Sequence, residues 1–343
     1  MKKINWGIIG LGSIASQFAN GFKHADNAKL LGIASKTSSK LRKFQEDFRI
    51  SNSYSYDNYE GLIENTEIDI IYISLPNSLH HEWAVKCLKG GKKVLVEKPA
   101  TINSLEIEDI KNNHLNKDFF FNEAFMYLYH PQTKKVLEII KSGEIGRLIS
   151  METVFGHNIF TKKNFFGFRK RKKINPKNRL LNKQLGGGVI LDLGCYPVSF
   201  STLIASLASK INYDKVKMIN KKKEIGSTGV DVDAYMELVF ENNFKSKIAS
   251  SFTQNLGNET KIYGSMGEIV INDTWTAQNS KIIIKKIDRE DVIIKIESNQ
   301  NIYSYEIKAL SQHILDKKVN VDFPGLTIVD TINNMKIIDR WKS

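Results

Sequence analysis

The stretch Ile4-Asn5-Trp6-Gly7-Ile8-Ile9-Gly10-Leu11-Gly12-Ser13-Ile14-Ala15 decides the fold. The apolar run Ile4–Ile9 breaks at Gly10, and from Ser13 onward Ile14, Ala15 and Phe18 share one face at helical spacing. Between that strand and that helix, Gly10, Gly12 and Ala15 fall on the pattern G-x-G-x-x-G/A. The first glycine permits a tight turn, the second lets backbone approach a pyrophosphate, and the small third residue lets helix pack on sheet. Backbone N–H groups at the helix start, those of Ser13 and Ile14 among them, then face the phosphates. Glycine turns are common, so the motif alone is weak. Its place between a strand and a helix gives it weight.

Outward from this turn, the first third of the chain alternates strand and helix. Lys29–Ser35 reads as a second strand, followed by a charged helix containing Leu41, Phe44 and Phe48. The near-continuous apolar run Ile68–Leu75 has the character of a central parallel strand buried on both faces. A helix over His80–Lys89 stops at Gly90-Gly91, and the strand Lys93–Val96 follows. A polar helix from about Ser104 and a strand over Phe119–Phe121 complete this part. Repeated β-α units with short connections imply an α/β Rossmann fold, a doubly wound parallel sheet. Near residue 124 the pattern changes. A helix over Gln132–Lys141, a strand over Leu148–Val154 and alternating runs from Val230 to Ile271 read as an α+β domain with a largely antiparallel, open sheet. The end, from Ile302, reads as helix. The expected domains are 1–124, dinucleotide-binding, and 125–343, α+β.

Dinucleotide sites of the NAD type place Asp or Glu at the end of the second strand to hold the ribose hydroxyls. Here that strand ends Ala34-Ser35-Lys36-Thr37, with Lys40 and Arg42 nearby and no acid. A hydroxyl and an ammonium suit a 2′-phosphate, which a carboxylate would repel, so the expected cofactor is NADP rather than NAD.

Two further turns lie where the nicotinamide should arrive. Leu75-Pro76-Asn77-Ser78-Leu79-His80 follows one strand and Glu97-Lys98-Pro99 the next. A partly desolvated lysine beside a cationic ring can hydrogen-bond a substrate hydroxyl or carbonyl, and the proline ends the strand and fixes the direction of Lys98. Far along the chain stands Gly186-Gly187-Gly188-Val189-Ile190-Leu191-Asp192-Leu193-Gly194-Cys195-Tyr196-Pro197. On a helix, Asp192 and Tyr196 share a face. A phenol near an ammonium can exchange protons and a carboxylate can orient a hydroxyl, while three glycines let backbone approach a ligand or another helix. Taken alone, each of these stretches also reads as ordinary structure: a surface lysine at a strand end, and an amphipathic core helix.

In this order, G-x-G-x-x-A, Glu97-Lys98-Pro99 and the late GGG…DLGCYP helix resemble the Gfo/Idh/MocA oxidoreductases. Pro76–His80, Glu123-Ala124-Phe125-Met126 and the closing IYSYEIKALSQHI helix extend the resemblance over essentially the whole chain. The nearest branch is that of glucose–fructose oxidoreductase, NADP-dependent xylose dehydrogenase and trans-dihydrodiol dehydrogenase. The resemblance implies a Rossmann domain followed by a domain that binds substrate and forms oligomers through its open sheet. It implies that Lys98 is the catalytic lysine at the nicotinamide and Tyr196 the acid/base, activated by Lys98. Many relatives carry His at that position, so Tyr196 favours the aldose and dihydrodiol type. It further implies that Asp192 and Arg179 bind substrate, and that Glu97, Glu123 and the Leu75–His80 turn serve the cofactor. Related sequences often read EAFMYRYHPQ where this one reads EAFMYLYHPQ, so Leu128 removes a positive charge expected to touch substrate.

Composition narrows the rest. At 343 residues the chain is too long for one ordinary core, and 41% hydrophobic with 25% charged residues is the balance of a soluble globular protein. The net charge of +13 accompanies a general richness in Lys, Asn and Ile. Cys87 and Cys195 stand far apart without metal-type spacing, so no metal site is expected and a reducing, cytoplasmic setting is the default. The N-terminus reads as strand and turn rather than a targeting segment, and no apolar run is expected to span a membrane. The densest charge, FRKRKKINPKNR within Thr161–Lys183, is short and lacks a nucleic-acid reader fold. It reads either as a solvated loop or as a funnel for an anionic sugar. The expected function is hydride transfer between NAD(P) and a hydroxyl or carbonyl carbon of a sugar or polyol. Alternatives on the same fold are a catalytically silent cofactor-binding regulator, against which Lys98 and Tyr196 together argue, and a transient-redox sugar lyase or hydrolase.

Overall fold

The computed structural model describes residues 2–115, 120–163, 169–278, 280–298 and 300–343. Its contacts divide the chain into two compact units, Met1–His130 with Asn299–Ile332, and Pro131–Ser298 with Asn333–Ser343.

The first unit is built on six parallel strands. They are β1 (Ile4–Ile9), β2 (Ala28–Ala34), β3 (Ser55–Tyr56), β4 (Ile70–Ile73), β5 (Lys93–Glu97) and β6 (Phe121–Ala124), in the order β3-β2-β1-β4-β5-β6. This is the doubly wound Rossmann order, whose ligand crevice lies at the carboxyl ends of the strands where the winding reverses, between β1 and β4. Helices α1 (Ser13–Gly21), α2 (Ser38–Phe48), α3 (Tyr59–Glu64), α4 (His80–Lys89) and α5 (Ser104–Asp109) connect them. All four residues of β4 are buried, as a continuous Ile-rich run requires of a strand covered on both faces. The sixth strand, expected over Phe119–Phe121, starts at Phe121, and Phe119 lies outside the described residues. The two-residue β3 carries no sequence signal of its own.

A single cut at residue 124 does not describe this division. The helix at Ile302–Leu315, read from sequence into the second domain, packs in the first unit on β1 and α1. Trp6 Nε1–H donates to Ser311 Oγ at 2.9 Å, and Gly21 leaves room for the Tyr303–Ser304 backbone, which a Cβ there would approach to 3.1 Å.

The second unit begins with α6 (Pro131–Lys141) and an eight-stranded sheet follows. Its strands are β7 (Leu148–Gly156), β10 (Lys217–Ile225), β11 (Asp231–Val239), β12 (Lys245–Ser251), β13 (Thr260–Gly264), β14 (Gly267–Ile271), β15 (Lys281–Lys285) and β16 (Val292–Lys295). The order is β10-β11-β12-β7-β13-β14-β15-β16, antiparallel except for the parallel pair β12–β7. Along β11 the burial alternates strictly, with Val232, Ala234, Met236 and Leu238 inward. That period of two gives one covered and one open face. The core helix α7 (Cys195–Ala208) packs on β7 and β12. Part of the basic segment folds as a small hairpin of β8 (Thr161–Lys163) and β9 (Arg169–Arg171), while 164–168 lie outside the described residues. The stretch Lys183–Ala208 is long and apolar enough to cross a membrane, contrary to expectation. Its apolar window is fully buried inside the unit, so it serves as the core helix. The chain closes with α8 (Ile302–Leu315) in the first unit and α9 (Ile328–Lys342), which the division splits after Ile332.

Candidate active site

In the first unit the glycine turn works as its spacing implies. Gly10 sits at φ +86°, and a Cβ there would come within 2.8 Å of Leu75 and 2.9 Å of the Ser74 carbonyl, so only glycine fits. Gly12 is different. It lies in ordinary extended backbone as the residue before α1, and a Cβ on it would meet nothing within 4 Å. The protein itself does not require that glycine, but a pyrophosphate approaching the start of α1 would. No acidic residue occupies the first turn of α1, so the helix N-terminus, with Ser13 and Ile14 in that turn, stays favourable to an anion. Ala15 is fully buried against the sheet. The residues present therefore fit a dinucleotide.

At the end of β2, Ser35 is buried and its Oγ accepts the Thr37 N–H at 3.1 Å. Lys36 is exposed, with its ammonium 5.2 Å from the Tyr59 ring and 5.6 Å from the Trp83 ring. Aromatic faces hold a cation in place.

The β4 and β5 ends lie on the same sheet edge as Gly10. Leu75 and Pro76 are half-buried and Asn77 is buried. Lys98 is half-buried and joined to the buried Pro99 by a cis peptide. Glu97 is buried and accepts a hydrogen bond from the Tyr72 hydroxyl, whose ring stacks on Phe18 of α1 at 3.8 Å. Two residues expected at the cofactor turn inward instead. His80 is fully buried, with Nδ1 2.8 Å from the Pro99 carbonyl and Nε2 2.8 Å from the Leu75 carbonyl. Glu123 is buried and its Oε1 accepts the Ala100 N–H at 2.9 Å. Burial pushes the Glu123 carboxyl up to about 7, against the opposing pull of the Ala100 N–H, the Thr331 hydroxyl and the Lys98 ammonium. Leu128 is buried as well.

The second unit brings its three expected residues into one region. Ile190–Gly194 forms a π-type turn that runs into α7, so Asp192 and Tyr196 flank a junction with one extra residue in its turn. Arg179 Nη1–H donates to Asp192 Oδ1 at 3.1 Å; the arginine side chain is 53% exposed and the aspartate side chain only 10%. The Tyr196 ring is walled by Phe155 at 5.3 Å and Trp275 at 5.7 Å. Neither aromatic stands in a pattern that marks it. Trp275 lies in an aperiodic turn segment and is pinned by its Nε1–H to the Val154 carbonyl. The glycines before this turn serve packing. A Cβ on Gly187 would sit 2.7 Å from the Arg179 carbonyl, and one on Gly188, at φ +122°, would sit 2.5 Å from Asp231 Oδ1. Asp231 in turn accepts the Ile190 N–H at 2.7 Å and so caps the π-type turn, a role its sequence position does not announce. In the basic segment, Lys170, Lys172, Lys173 and Lys177 are exposed.

Comparison with known proteins accounts for both units. Residues 4–117 match the oxidoreductase family with an NAD-binding Rossmann fold, and residues 133–270 match the GFO/IDH/MocA C-terminal domain. The chain belongs to the GFO/IDH/MocA oxidoreductase family. It is 27% identical to the trans-1,2-dihydrobenzene-1,2-diol dehydrogenase of Xenopus laevis over 340 residues, 97% of this chain and 96% of that one. Its fold is shared by KijD10, a 3-ketoreductase from Actinomadura kijaniata solved with NADP and TDP-benzene. That match has a TM-score of 0.81 at 21% identity, covering 98% of this chain and 96% of the other. The aldose-aldose oxidoreductase of Caulobacter crescentus, solved with glycerol, gives 0.84 at 20% identity over 99% and 96%. This GFO/IDH/MocA member is an enzyme, an NAD(P)-dependent oxidoreductase.

Proposed function

We propose that this enzyme transfers hydride between NADP and a hydroxyl or carbonyl carbon of a sugar or related polyol. The observation that carries the reading is one sheet edge. The glycine turn after β1, the Leu75–Asn77 turn after β4 and Lys98 after β5 stand together at the carboxyl ends of neighbouring strands. Bound there, the nicotinamide supplies or accepts the hydride. Lys98 hydrogen-bonds the reacting substrate oxygen and Tyr196 exchanges its proton. Asp192, steadied by its hydrogen bond from Arg179, orients a neighbouring hydroxyl, and Arg179 helps bind substrate. Gly10, Gly12, Ser13 and Ile14 hold the pyrophosphate. Ser35 and Lys36 hold the 2′-phosphate at the acid-free end of β2. The names of the dihydrodiol and aldose relatives support a vicinal hydroxyl compound as substrate. An anionic sugar fits the exposed lysines 170, 172 and 173. The enzyme acts as a cytoplasmic homo-oligomer, joined through the open face of the eight-stranded sheet.

Fluorescence titration with NADPH and, separately, NADH tests the cofactor assignment. Tighter binding of NADPH is expected. Lys36→Glu should weaken NADPH by about tenfold or more while leaving NADH nearly unchanged, because the new charge meets only the 2′-phosphate. Preference for NADH in the wild type would overturn it.

A further inference from the structure

The turn that carries Lys98 is held by two side chains that the hydride-transfer chemistry does not use. His80, at the start of α4, reaches the Pro99 carbonyl with Nδ1 and the Leu75 carbonyl with Nε2, both at 2.8 Å. Glu123, on β6, takes the Ala100 N–H at 2.9 Å from the other side. We propose that His80 and Glu123 are positioning residues that clamp the Lys98-Pro99-Ala100 turn, with His80 doing so as a doubly protonated imidazolium. The proposal rests on the reading of Lys98 as the catalytic lysine at the nicotinamide.

The charge state follows from the partners. A neutral imidazole offers one N–H and one lone pair, whereas a carbonyl oxygen can only accept. With a carbonyl 2.8 Å from each nitrogen, the Pro99 contact buried and the Leu75 contact part-buried, a neutral ring would press one lone pair against another. A ring with both nitrogens protonated satisfies both. Such a buried cation needs negative charge nearby. Of the elements packed on α4, β5 brings Glu97 and Lys93, β4 brings Tyr72, and the π-type turn Ile110–His114 brings Lys111 and His114. Lys98 and Glu123 stand on the clamped turn and the next strand. Asp109 is already engaged, 2.7 Å from His81 and 3.3 Å from His114. Glu97 and Glu123 are buried carboxyls that β5 and β6 bring to this sheet edge, while the buried Glu306, a charge neighbour of Glu97, is held well above the usual carboxylate range.

The mechanical consequence spans three strands. His80 ties the end of β4 to the end of β5, and Glu123 ties the end of β5 to β6. A half-buried lysine on a long flexible stem is then carried by backbone that cannot drift. Small displacements of a positioned group are costly in an active site, reaching about a hundredfold for 1 Å. The clamp bears most directly on the nicotinamide side, because the pyrophosphate turn at Gly10–Ile14 has further support in the Gly10 N–H bond to Ala34 and the Ser74 hydroxyl bond to the Gly10 carbonyl.

That separation supplies the test. Affinity is measured for NADPH and for 2′,5′-ADP, which lacks the nicotinamide, or for NADH and ADP if NADH proves the tighter dinucleotide. His80→Gln and Glu123→Leu should each weaken the dinucleotide about tenfold while the mononucleotide keeps its wild-type affinity. Glu123→Gln, which retains an acceptor for the Ala100 N–H, should restore dinucleotide binding, and His81→Asn next door should behave as wild type. Lys98→Ala should give the same split. If it does and the clamp variants do not, the clamp is wrong and the lysine assignment stands; if Lys98→Ala binds NADPH normally, the lysine assignment falls and the clamp with it. Melting curves identify any variant that has unfolded, and Glu123→Leu carries the test if His80→Gln does not fold. Separately, nitrogen NMR of 15N-histidine protein at pH 8 should show one ring with both nitrogens protonated, absent in His80→Gln. A neutral tautomer there would overturn the imidazolium.

Discussion

At the scale of single residues, two glycines show how a structure separates a ligand's demand from the protein's own. Gly188 adopts φ +122° with Asp231 pressed against it, so both backbone strain and a lost cap oppose any side chain. Gly188→Ala should cost about 2–4 kcal/mol, the sum of a strained dihedral and a broken N-cap, and appear as a clear drop in melting temperature. Gly12 has allowed backbone angles and open space where its Cβ would stand. Gly12→Ala should leave stability within about 1 kcal/mol of wild type. Its effect should fall on NADPH affinity, which a methyl group in the pyrophosphate space lowers. A Gly12→Ala protein that melts much lower yet binds NADPH normally would reverse the assignment of the two roles.

At the scale of elements, α8 carries the most unusual side chain of the first unit. Glu306 is fully buried, and among the described residues neither of its carboxyl oxygens has a hydrogen-bond partner. Burial, and then the neighbouring charge of Glu97, hold it well above the usual carboxylate range, so it keeps its proton to higher pH in the folded enzyme than in the unfolded chain. An unfolded chain ionises the same group above about 4.3. The folded state therefore binds the extra proton, and this group's contribution to stability is present below that value and is lost progressively as pH rises above it. Glutamine cannot titrate. The melting temperature of Glu306→Gln relative to wild type should thus be nearly level at pH 4 and rise steadily towards pH 8. A difference that does not change with pH would mean that Glu306 is not held neutral. Elements are also where the sequence is legible and where it stops. The strand–turn–helix at Ile4–Ala15, the buried run of β4 and the alternation of β11 survive intact because each follows from burial within one element. The placement of α8, the role of Gly188 as a packing residue, and the inward turn of His80 and Glu123 depend on partners 19 to 305 positions away. No local pattern carries such information. Lys98, Asp192 and Tyr196 stand out in the sequence as candidates, whereas Asp231, Phe155 and Trp275, which pack around the turn and ring of the last two, do not.

At the scale of the whole molecule, the open face of the eight-stranded sheet bears on assembly. Across β11, β12, β7 and β13, Glu237, Lys247, Glu152 and Lys261 stand opposite one another as a row of alternating charge. Val270, Ile283 and Ile293 continue the row over the last three strands; Val270 is buried, Ile283 half-buried and Ile293 58% exposed. Exposed pairs such as Lys247 with Glu152, at 2.9 Å, add little to the stability of one chain. A row of alternating sign is, however, self-complementary when a second copy lies across it on a two-fold axis, and the aliphatic end supplies a dry patch. Seven strands set about 4.8 Å apart give a face about 30 Å wide, which with strands about 20 Å long is roughly the footprint per partner of a stable interface. Purified enzyme should therefore sediment at twice the chain mass or a multiple of it. Lys247→Glu, which places a third acid between Glu237 and Glu152, and Ile293→Asp, which wets the aliphatic end, should each dissociate it at concentrations where the wild type stays assembled. Added salt should weaken the wild type only partly, since screening reaches the charged row and not the aliphatic patch. A wild type that sediments as a monomer at every concentration removes the open face from any role in assembly, and its alternating row then reads as a solvated surface.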